Sequence, residues 1–448
     1  MKDDSRKIIE GDTFISLTDN EEYINDAINR GASKIICKND TYSVNTINVD
    51  NPREYLAEYL DKLYRDTFSN IKIIGITGTN GKTTSAYLLW QILNKLGIKC
   101  GYIGTNGFYI DKFIKKLPNT TPEIIDIYEL LIKCKQNNCK YVCVETSSHG
   151  LDQNRLAKLQ FDYAIFTNLT HEHLGYHKTM KNYALAKQKL FTMLRNNKYA
   201  IINIDDKYNK YFTLNNNNIT YGMKKSTYQI KDYKIDYNGS IFTVSYDNKD
   251  YVFKTNLIGL HNIYNVLTSI IVLHKIGIDF DTTNNLLKDI TAPNGRMDTI
   301  KYKDNLIIVD YAHTPDGIEK VLTTINTLKH NNIITVIGCG GGTGSDRKKR
   351  KEMGSLVLKL SDKVIFTNDN PRDEDPNQII DDLLKDNTKT NYIIELDRKQ
   401  AINKGIKLLS SNDILIILGK GHENYQIIGN NTIYFNDKEE VLNTIERI

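Results

Sequence analysis

Short apolar runs alternate along the chain with longer stretches whose apolar positions recur every three or four residues. The first kind reads as buried strand and the second as amphipathic helix. One junction organises the rest. Ile71–Thr77 is rich in β-branched residues and breaks into Gly78-Thr79-Asn80-Gly81-Lys82-Thr83-Thr84. Ser85–Leu96 follows, with Ala86, Leu89, Leu93 and Leu96 on one helical face and Gly97 at the end. Strand, glycine loop, Lys-Thr and helix together predict a phosphate-binding loop, in which backbone N–H groups at a helix N-terminus hold phosphate oxygens. Lys82 then supplies a charge for the terminal phosphates and Thr83 a hydroxyl for Mg²⁺. The position five before Gly81 is Ile76, where the general pattern has glycine. An ordinary strand–turn–helix is the competing reading, and the context argues against it.

Residues 1–70 predict a small α/β unit. It has strands at Asp12–Leu17 and Lys34–Cys37, helices at Glu21–Arg30 and from Asn51 to about Tyr64, and a linker at Asp66–Asn70. Residues 71–294 continue the βα alternation. Strands are expected at Ile98–Ile103, Tyr141–Glu145, Tyr163–Thr167 and Ala200–Ile204, with a helix at Ile124–Lys135. A meander is expected over 219–255, then an apolar helix at Ile263–Leu273. Residues 295–448 repeat the arrangement without a phosphate loop. Strands at Leu306–Asp310, Ile333–Gly338, Lys363–Thr367, Tyr392–Leu396 and Ile414–Leu418 precede a hairpin at Tyr425–Phe435, with Asn430-Asn431 as its turn. The fold class is α/β with doubly wound sheets, and polar residues gather past strand C-termini, where open parallel sheets bind ligands.

Bulk properties narrow the reading. At 448 residues the chain exceeds one core, and about three domains follow. It is 40% apolar and 25% charged, as a globular protein is. A net charge of +5 suits anionic small molecules and gives no support for nucleic-acid binding. No apolar run reaches the roughly 18 residues of a membrane span and no signal peptide opens the chain, so no membrane partner and a cytoplasmic location are expected. The six cysteines lack zinc spacing, and reduced, buried thiols are expected.

Several constellations add chemistry. Glu145 closes a buried strand downstream of the phosphate loop, where a carboxylate suits Mg²⁺; a surface glutamate is the plainer alternative. His171-Glu172-His173 with His177 superficially suggests zinc, yet no further ligand stands at recognisable spacing. One of these histidines serving Mg²⁺ is the better reading. By periodicity alone Lys187 is an ordinary helix lysine. Gly338–Gly344 lacks the spacing of a dinucleotide fingerprint.

Assembled, these stretches resemble the Mur ligase family over essentially the full length. The resemblance is carried by Thr77–Thr84, Glu145–Arg155, Thr167–His177, Ala186–Phe191, Gly295-Arg296-Met297, Asp310–Pro315, Asp369-Asn370-Pro371-Arg372 and Gly419–Glu423. It implies three domains: UDP-substrate-binding (1–70), central ATPase (71–294) and C-terminal Rossmann-like (295–448). The implied activity is ATP- and Mg²⁺-dependent addition of meso-diaminopimelate to UDP-N-acetylmuramoyl-L-Ala-D-Glu by a monomer, through an acyl phosphate. By motif, Gly78, Thr79, Asn80, Gly81, Lys82, Thr83 and Thr84 bind ATP phosphates, and Thr83, Glu145 and His173 serve Mg²⁺. Lys187 matches the family's carbamylated lysine. Asn262 and Asn265 fall at the adenine, and Arg296 and Asp310 reach the phosphate and ribose across a domain boundary. Lys82, Lys187, His173 and Arg296 form the catalytic set. Ser5, Asn119, Thr120, Thr121, Ser147, Gln153 and Arg155 match positions that hold the nucleotide dipeptide. Asp369-Asn370-Pro371-Arg372 matches the diaminopimelate signature, with Gly419, Glu423 and Arg347 completing the amino-acid pocket. Four departures stand out. Asp4-Ser5-Arg6 lies almost at the start, without the family's preceding strand. The segment after Leu17 lacks the family's glycine-and-aspartate loop, so a weaker hold on UDP than on ATP is expected. Residues 342–345 insert before Asp346-Arg347, and Glu172 stands in place of the family's aspartate. Ligation of L-lysine or another diamino acid, and a ligase-dead regulatory homologue, remain the alternatives.

Overall fold

The computed structural model describes all 448 residues except 19, 39, 214–216, 343–346 and 348. The insertion read at 342–345 therefore falls largely outside the described residues, as does Asp346. The buried runs form strands and the periodic stretches form helices in an α/β chain of two compact units. One holds residues 1–230, 245–247 and 267–276, the other 231–244, 248–266 and 277–448.

The first unit opens with a parallel sheet of β1 (Thr13–Ile15), β2 (Lys34–Cys37) and β3 (Asn45–Asn48). Helices α1 (Glu21–Asn29) and α2 (Pro52–Tyr64) are capped by the side chains of Asn20 and Asn51, the latter just before a proline at the first helical position. β1 is shorter than expected, because Ser16 turns its hydroxyl to the Thr18 carbonyl at 2.5 Å and leaves the extended line. Lys2 forms a parallel bridge to Phe14, so backbone lies beside β1 where the sequence suggested none. Ile15, Ile36, Leu56 and Leu60 share one buried core with Ile71 and Ile73.

The central sheet of this unit runs β11-β10-β9-β4-β8-β5-β6-β7. Its strands are β4 (Lys72–Thr77), β5 (Cys100–Gly104), β6 (Gly107–Tyr109), β7 (Phe113–Lys115), β8 (Tyr141–Glu145), β9 (Phe161–Phe166), β10 (Leu194–Asn203) and β11 (Asn218–Gly222). Pairing is parallel from β11 to β5 and antiparallel through β6 and β7. The helices are α3 (Lys82–Lys95), α4 (Ile124–Gln136), α5 (Ser148–Asp152), α6 (Leu174–His177) and α7 (Met180–Thr192). Register does the functional work: Ile76 pairs with Glu145 and Thr77 with Phe166, which sets the strand-end carboxylate and Thr167 beside the loop that leaves β4. Past β11 the expected meander follows as β12 (Tyr228–Asp236), β13 (Gly239–Tyr246) and β14 (Lys249–Thr255).

In the second unit the sheet order is β15-β16-β20-β17-β18-β19. Its strands are β15 (Asp298–Tyr302), β16 (Asn305–Asp310), β17 (Ile333–Ile337), β18 (Lys363–Phe366), β19 (Tyr392–Ile394) and β20 (Ile414–Leu418). Only β15 runs antiparallel to its neighbour. The hairpin β21 (Tyr425–Ile428) and β22 (Asn431–Tyr434) turns at Gly429-Asn430, one residue earlier than read. Gly429, at φ +56, supplies the left-handed first position that a two-residue hairpin turn requires, which asparagine at 430 had obscured. Helix α8 (Leu260–Lys275) starts three residues before the apolar run, so Asn262 lies in its first turn. Among the described residues no helix is long and apolar enough to cross a membrane.

Candidate active site

Helix α3 begins at Lys82, so Lys82 and Thr83 form its first turn with their N–H groups at the positive end of the helix. Gly81 precedes them at φ +89, a left-handed position. Gly78 sits at φ +152, and a Cβ there would lie 1.9 Å from Thr167 Oγ1. Strand-end side chains brace the loop: Asn80 N–H donates to Asn168 Oδ1 at 3.0 Å, and Thr167 Oγ1 donates to Asn80 O at 2.6 Å. Lys82 folds back, donating to Gly78 O at 2.9 Å and Thr79 O at 2.8 Å. Thr79 and Thr84 are buried beside it.

Glu145 is fully buried. Its carboxylate accepts from Tyr102 OH at 2.5 Å, Thr105 N at 2.9 Å, Thr105 Oγ1 at 3.1 Å and Thr83 Oγ1 at 2.8 Å. Four donors ring the ionised carboxylate, so one of them must give way for Glu145 to touch a cation itself. Because Thr83 gives its proton to Glu145, its hydroxyl lone pairs are left for a cation. This hard-oxygen set fits Mg²⁺ with phosphate better than zinc. Among the described residues no group of three His, Cys, Asp or Glu is placed to hold a metal ion by itself.

Lys187, on α7, is 1% exposed and is no ordinary helix lysine. Its Nζ donates to Gly78 O at 2.7 Å and lies 4.6 Å from the centre of the Tyr183 ring. Burial, then the charge of Lys82, push its pKa well below the usual lysine value. Near it His149, His173 and His177 form a ring cluster, with centroids 5.0 Å apart for 149–173 and 5.5 Å for 149–177. His173 adopts φ +58 ahead of α6, and burial lowers its pKa. His177 stacks on Tyr183 and sits 3.0 Å from Ser148 Oγ; burial brings its pKa down to about 4.

The expected dipeptide positions gather around Thr121. Its Oγ1 donates to Glu145 O at 2.8 Å and accepts from Ser147 N at 2.9 Å, and its carbonyl accepts from Arg155 Nη1 at 2.9 Å. Arg155 also holds Gln153 Oε1 at 2.7 Å and Glu123 at 3.1 Å, while Thr120 meets Thr105 at 3.0 Å. Asn119 is exposed on the same loop. Ser5 is buried in a short turn capped by Asp4, and its hydroxyl turns to Asp26, whose carboxyl it holds below the usual range.

The second unit carries a separate polar cluster. Asn370 Nδ2 donates to Glu423 Oε2 at 3.1 Å, and Ile427 N donates to Asn370 Oδ1 at 3.0 Å. Pro371 is buried, and Arg372, at φ +55, bridges to Ile428 and donates through Nη1 to Gly341 O at 2.9 Å. A Cβ on Gly419 would lie 2.6 Å from Asp369 Oδ2. Lys420, unassigned from sequence, ties the cluster together. It is fully buried, with Nζ 3.0 Å from Glu423 Oε2, 3.2 Å from Asn370 Oδ1 and 3.7 Å from Asp369 Oδ1. Its place between Gly419 and Gly421 was the available signal. Arg347 pairs with Asp382 at 2.8 Å, while the buried Arg350 holds Glu374 at 2.6 Å and Asp382 at 2.9 Å. Arg350 holds the Glu374 carboxyl down to about 2. Arg398, also missed, is buried against Asp437 at 2.7 Å and donates to the carbonyls of Asn368 and Leu418 just ahead of both loops.

Elsewhere in this unit Asp310 accepts from Met297 N and Ala312 N, each at 2.7 Å, and burial raises its pKa. Arg296 lies 4.8 Å over the Tyr311 ring, with a buried Nε that lacks a partner among the described residues. Asn262 donates to Ile258 O at 2.9 Å and accepts from Asn265 at 3.3 Å.

Residues 76–273 match the Mur ligase middle domain and residues 295–421 the Mur ligase glutamate ligase domain. The chain is 39% identical to the UDP-N-acetylmuramoyl-L-alanyl-D-glutamate–2,6-diaminopimelate ligase of Clostridium perfringens, covering 99% of this chain and 94% of that one. It is 38% identical to the protein of that name from Aquifex aeolicus, over 98% and 91%. A solved ligase of that name superposes with TM-score 0.73 at 30% identity, over 100% of this chain and 94% of the other. MurF from Thermotoga maritima, solved with ADP, shares the fold at TM-score 0.68 and 17% identity. On this evidence the chain belongs to the Mur ligase family.

Proposed function

We propose that this chain joins meso-2,6-diaminopimelate to UDP-N-acetylmuramoyl-L-alanyl-D-glutamate at the expense of ATP, as a cytoplasmic monomer making peptidoglycan precursor. The observation that carries this reading is its full-length similarity to ligases of that name, at 36–39% identity, together with an Asp369–Arg372 loop tied to Glu423. ATP phosphates lie on the loop Gly78–Thr84, and Thr83, Glu145, His173 and a carbamylated Lys187 hold Mg²⁺. Bound there, Mg²⁺ screens the repulsion between the substrate carboxylate and the γ-phosphate. A carbamate forms from a neutral amine and CO₂ with loss of a proton, and the depressed pKa of Lys187 favours that amine.

The side-chain carboxylate of the D-glutamyl residue takes the γ-phosphoryl group, releasing ADP. The diamino acid's amine then attacks the acyl carbon, phosphate leaves and the amine gives up a proton. Lys82 stands by the transferring phosphate, and Asn119, Thr120, Thr121, Ser147, Gln153 and Arg155 position the nucleotide dipeptide. Arg372 takes the second carboxylate of diaminopimelate as a two-pronged donor, and Glu423 its ammonium.

The test is phosphate release and product mass with each candidate amino acid. Turnover that requires both the UDP-dipeptide and meso-diaminopimelate is expected. Equal ligation of L-lysine would transfer the assignment to the lysine-adding alternative, and ATP binding without turnover to the regulatory one.

A further inference from the structure

A cavity of about 440 Å³ opens at the other end of the central sheet from the nucleotide loop. Ile73, the second residue of β4, forms part of its wall, with Gln160 just ahead of β9 and Leu194 at the start of β10. These are the N-terminal ends of parallel strands, about 16 Å along β4 from Gly78 at 3.3 Å per residue. The C-terminal end of α2, helix α4 and the end of α7 complete the wall. The volume falls in the range of small-molecule sites.

Two observations point to its occupant. Tyr128 is 2% exposed, packed 5.6 Å from Phe68, yet its hydroxyl has no hydrogen-bond partner among the described residues. Burial raises the phenol's pKa, so it stays protonated and able to donate. Second, three cations line the cavity, Arg65, Lys158 and Arg195, against the single carboxylate of Asp61. Each is anchored by a carboxylate, Arg65 by Asp61, Lys158 by Glu58 at 3.3 Å and Arg195 by Asp162 at 3.1 Å. A guanidinium has five N–H donors, more than one carboxylate consumes. Helices α2 and α7 both end at the cavity, and their negative ends weigh against any anion, a dianion such as a phosphate monoester about twice as much as a monocarboxylate.

We propose that this cavity binds a small monocarboxylic acid with an apolar body, the Tyr128 hydroxyl donating to the carboxylate and the body lying against Phe68, Ile73, Met193 and Leu194. The site is separate from the ligation chemistry and does not depend on it.

The probe is 3-phenylpropionate, titrated into the full chain by saturation-transfer NMR beside neutral 3-phenylpropionamide. The acid is expected to bind with Kd on the order of 1 mM, as its size allows. The amide and the Tyr128→Phe variant should each bind at least about fivefold more weakly, one hydrogen bond's worth. Tyr128→Phe should keep the wild-type Tm, since that hydroxyl bonds to none of the described residues. Thr192→Trp, at an exposed wall position, should abolish the signal, and ATP should not displace the probe. No binding by the wild type at ten times that concentration overturns the proposal. So does equal binding of the amide, displacement by ATP, or binding unchanged by either substitution.

Discussion

Lys82 and Lys187 donate to the same carbonyl oxygen, that of Gly78, at 2.9 and 2.7 Å. Two lysines on one acceptor, one of them buried, repel each other, and losing the proton from Lys187 relieves the repulsion. The neutral amine that results is the form that reacts with CO₂. Intact-mass and ¹³C NMR measurements under bicarbonate should therefore find a carbamate on Lys187. Lys187→Ala should lower kcat by roughly 10²–10³-fold, the usual loss on removing one electrostatic stabiliser, with partial rescue by formate or acetate. Full activity of the alanine variant without rescue would sink the idea.

Glu145→Gln keeps the shape of a buried side chain while removing its charge and setting an amide against four donors. The Mg²⁺ concentration for half-maximal activity should rise by roughly 10–100-fold, as when groups behind a metal ligand are altered. Stability should fall by about 1–3 kcal/mol from the donor left unmatched. An unchanged Mg²⁺ titration would remove Glu145 from the metal site.

Arg372 is exposed rather than buried as the sequence suggested, so Arg372→Ala should raise KM for meso-diaminopimelate by roughly tenfold or more, about 1.5–3 kcal/mol for hydrogen bonds to a charged group, and leave KM for ATP near its wild-type value. Lys420→Met should raise the same KM with less effect on kcat, because Lys420 holds Glu423 and Asn370 in place. Glu423→Gln should weaken diaminopimelate and lysine alike. Steady-state kinetics with each substrate varied separately distinguishes these outcomes.

Gly78→Ala should abolish ATP binding in calorimetry, since its Cβ would lie 1.9 Å from Thr167 Oγ1 at a backbone φ of +152. Gly175→Ala, with nothing within 4 Å of the added Cβ, should bind ATP as the wild type does.

Acid should destabilise the fold through its buried histidines. His177 and His261 are each held down to about 4 by burial, from the ordinary 6.5. The unfolded chain therefore binds more protons between those values. The stability they contribute is fully present above pH 6.5 and is lost as pH falls through about 4. His149, Tyr176, Tyr183 and Ser148 face His177, and the nearby carboxylate of Asp152 opposes the shift, but burial outweighs it and the sign stands. Denaturant midpoints measured from pH 7 to 4 should fall more steeply for the wild type than for His177→Gln.

Strands and helices were legible wherever one face is apolar, as in Ile71–Thr77, Ile333–Gly338 and Ile414–Leu418. Errors fell at ends and turns. The Tyr425–Tyr434 hairpin turned one residue early because Gly429 could take a positive φ. Helix α8 began at Leu260 because Gly259, at φ +106, turns the chain in there and its carbonyl accepts from Ile263 N at 3.2 Å.

The sequence by itself determined the nucleotide loop, because phosphate binding by backbone N–H groups needs its glycines, lysine and threonine contiguous on one strand–helix junction. It also determined the α/β class, because hydrophobic period is a local property. Only the tertiary structure decided what Lys187 and Lys420 are. Lys187 lies 109 positions from the carbonyl it meets, and its proton affinity depends on burial and on Lys82. Lys420 takes its role from Asn370, 50 positions away on the end of another strand. A lysine's letter is the same on a solvated helix face and in a closed site. The low dielectric and the neighbouring charges that separate the two exist only once strands distant in sequence lie side by side.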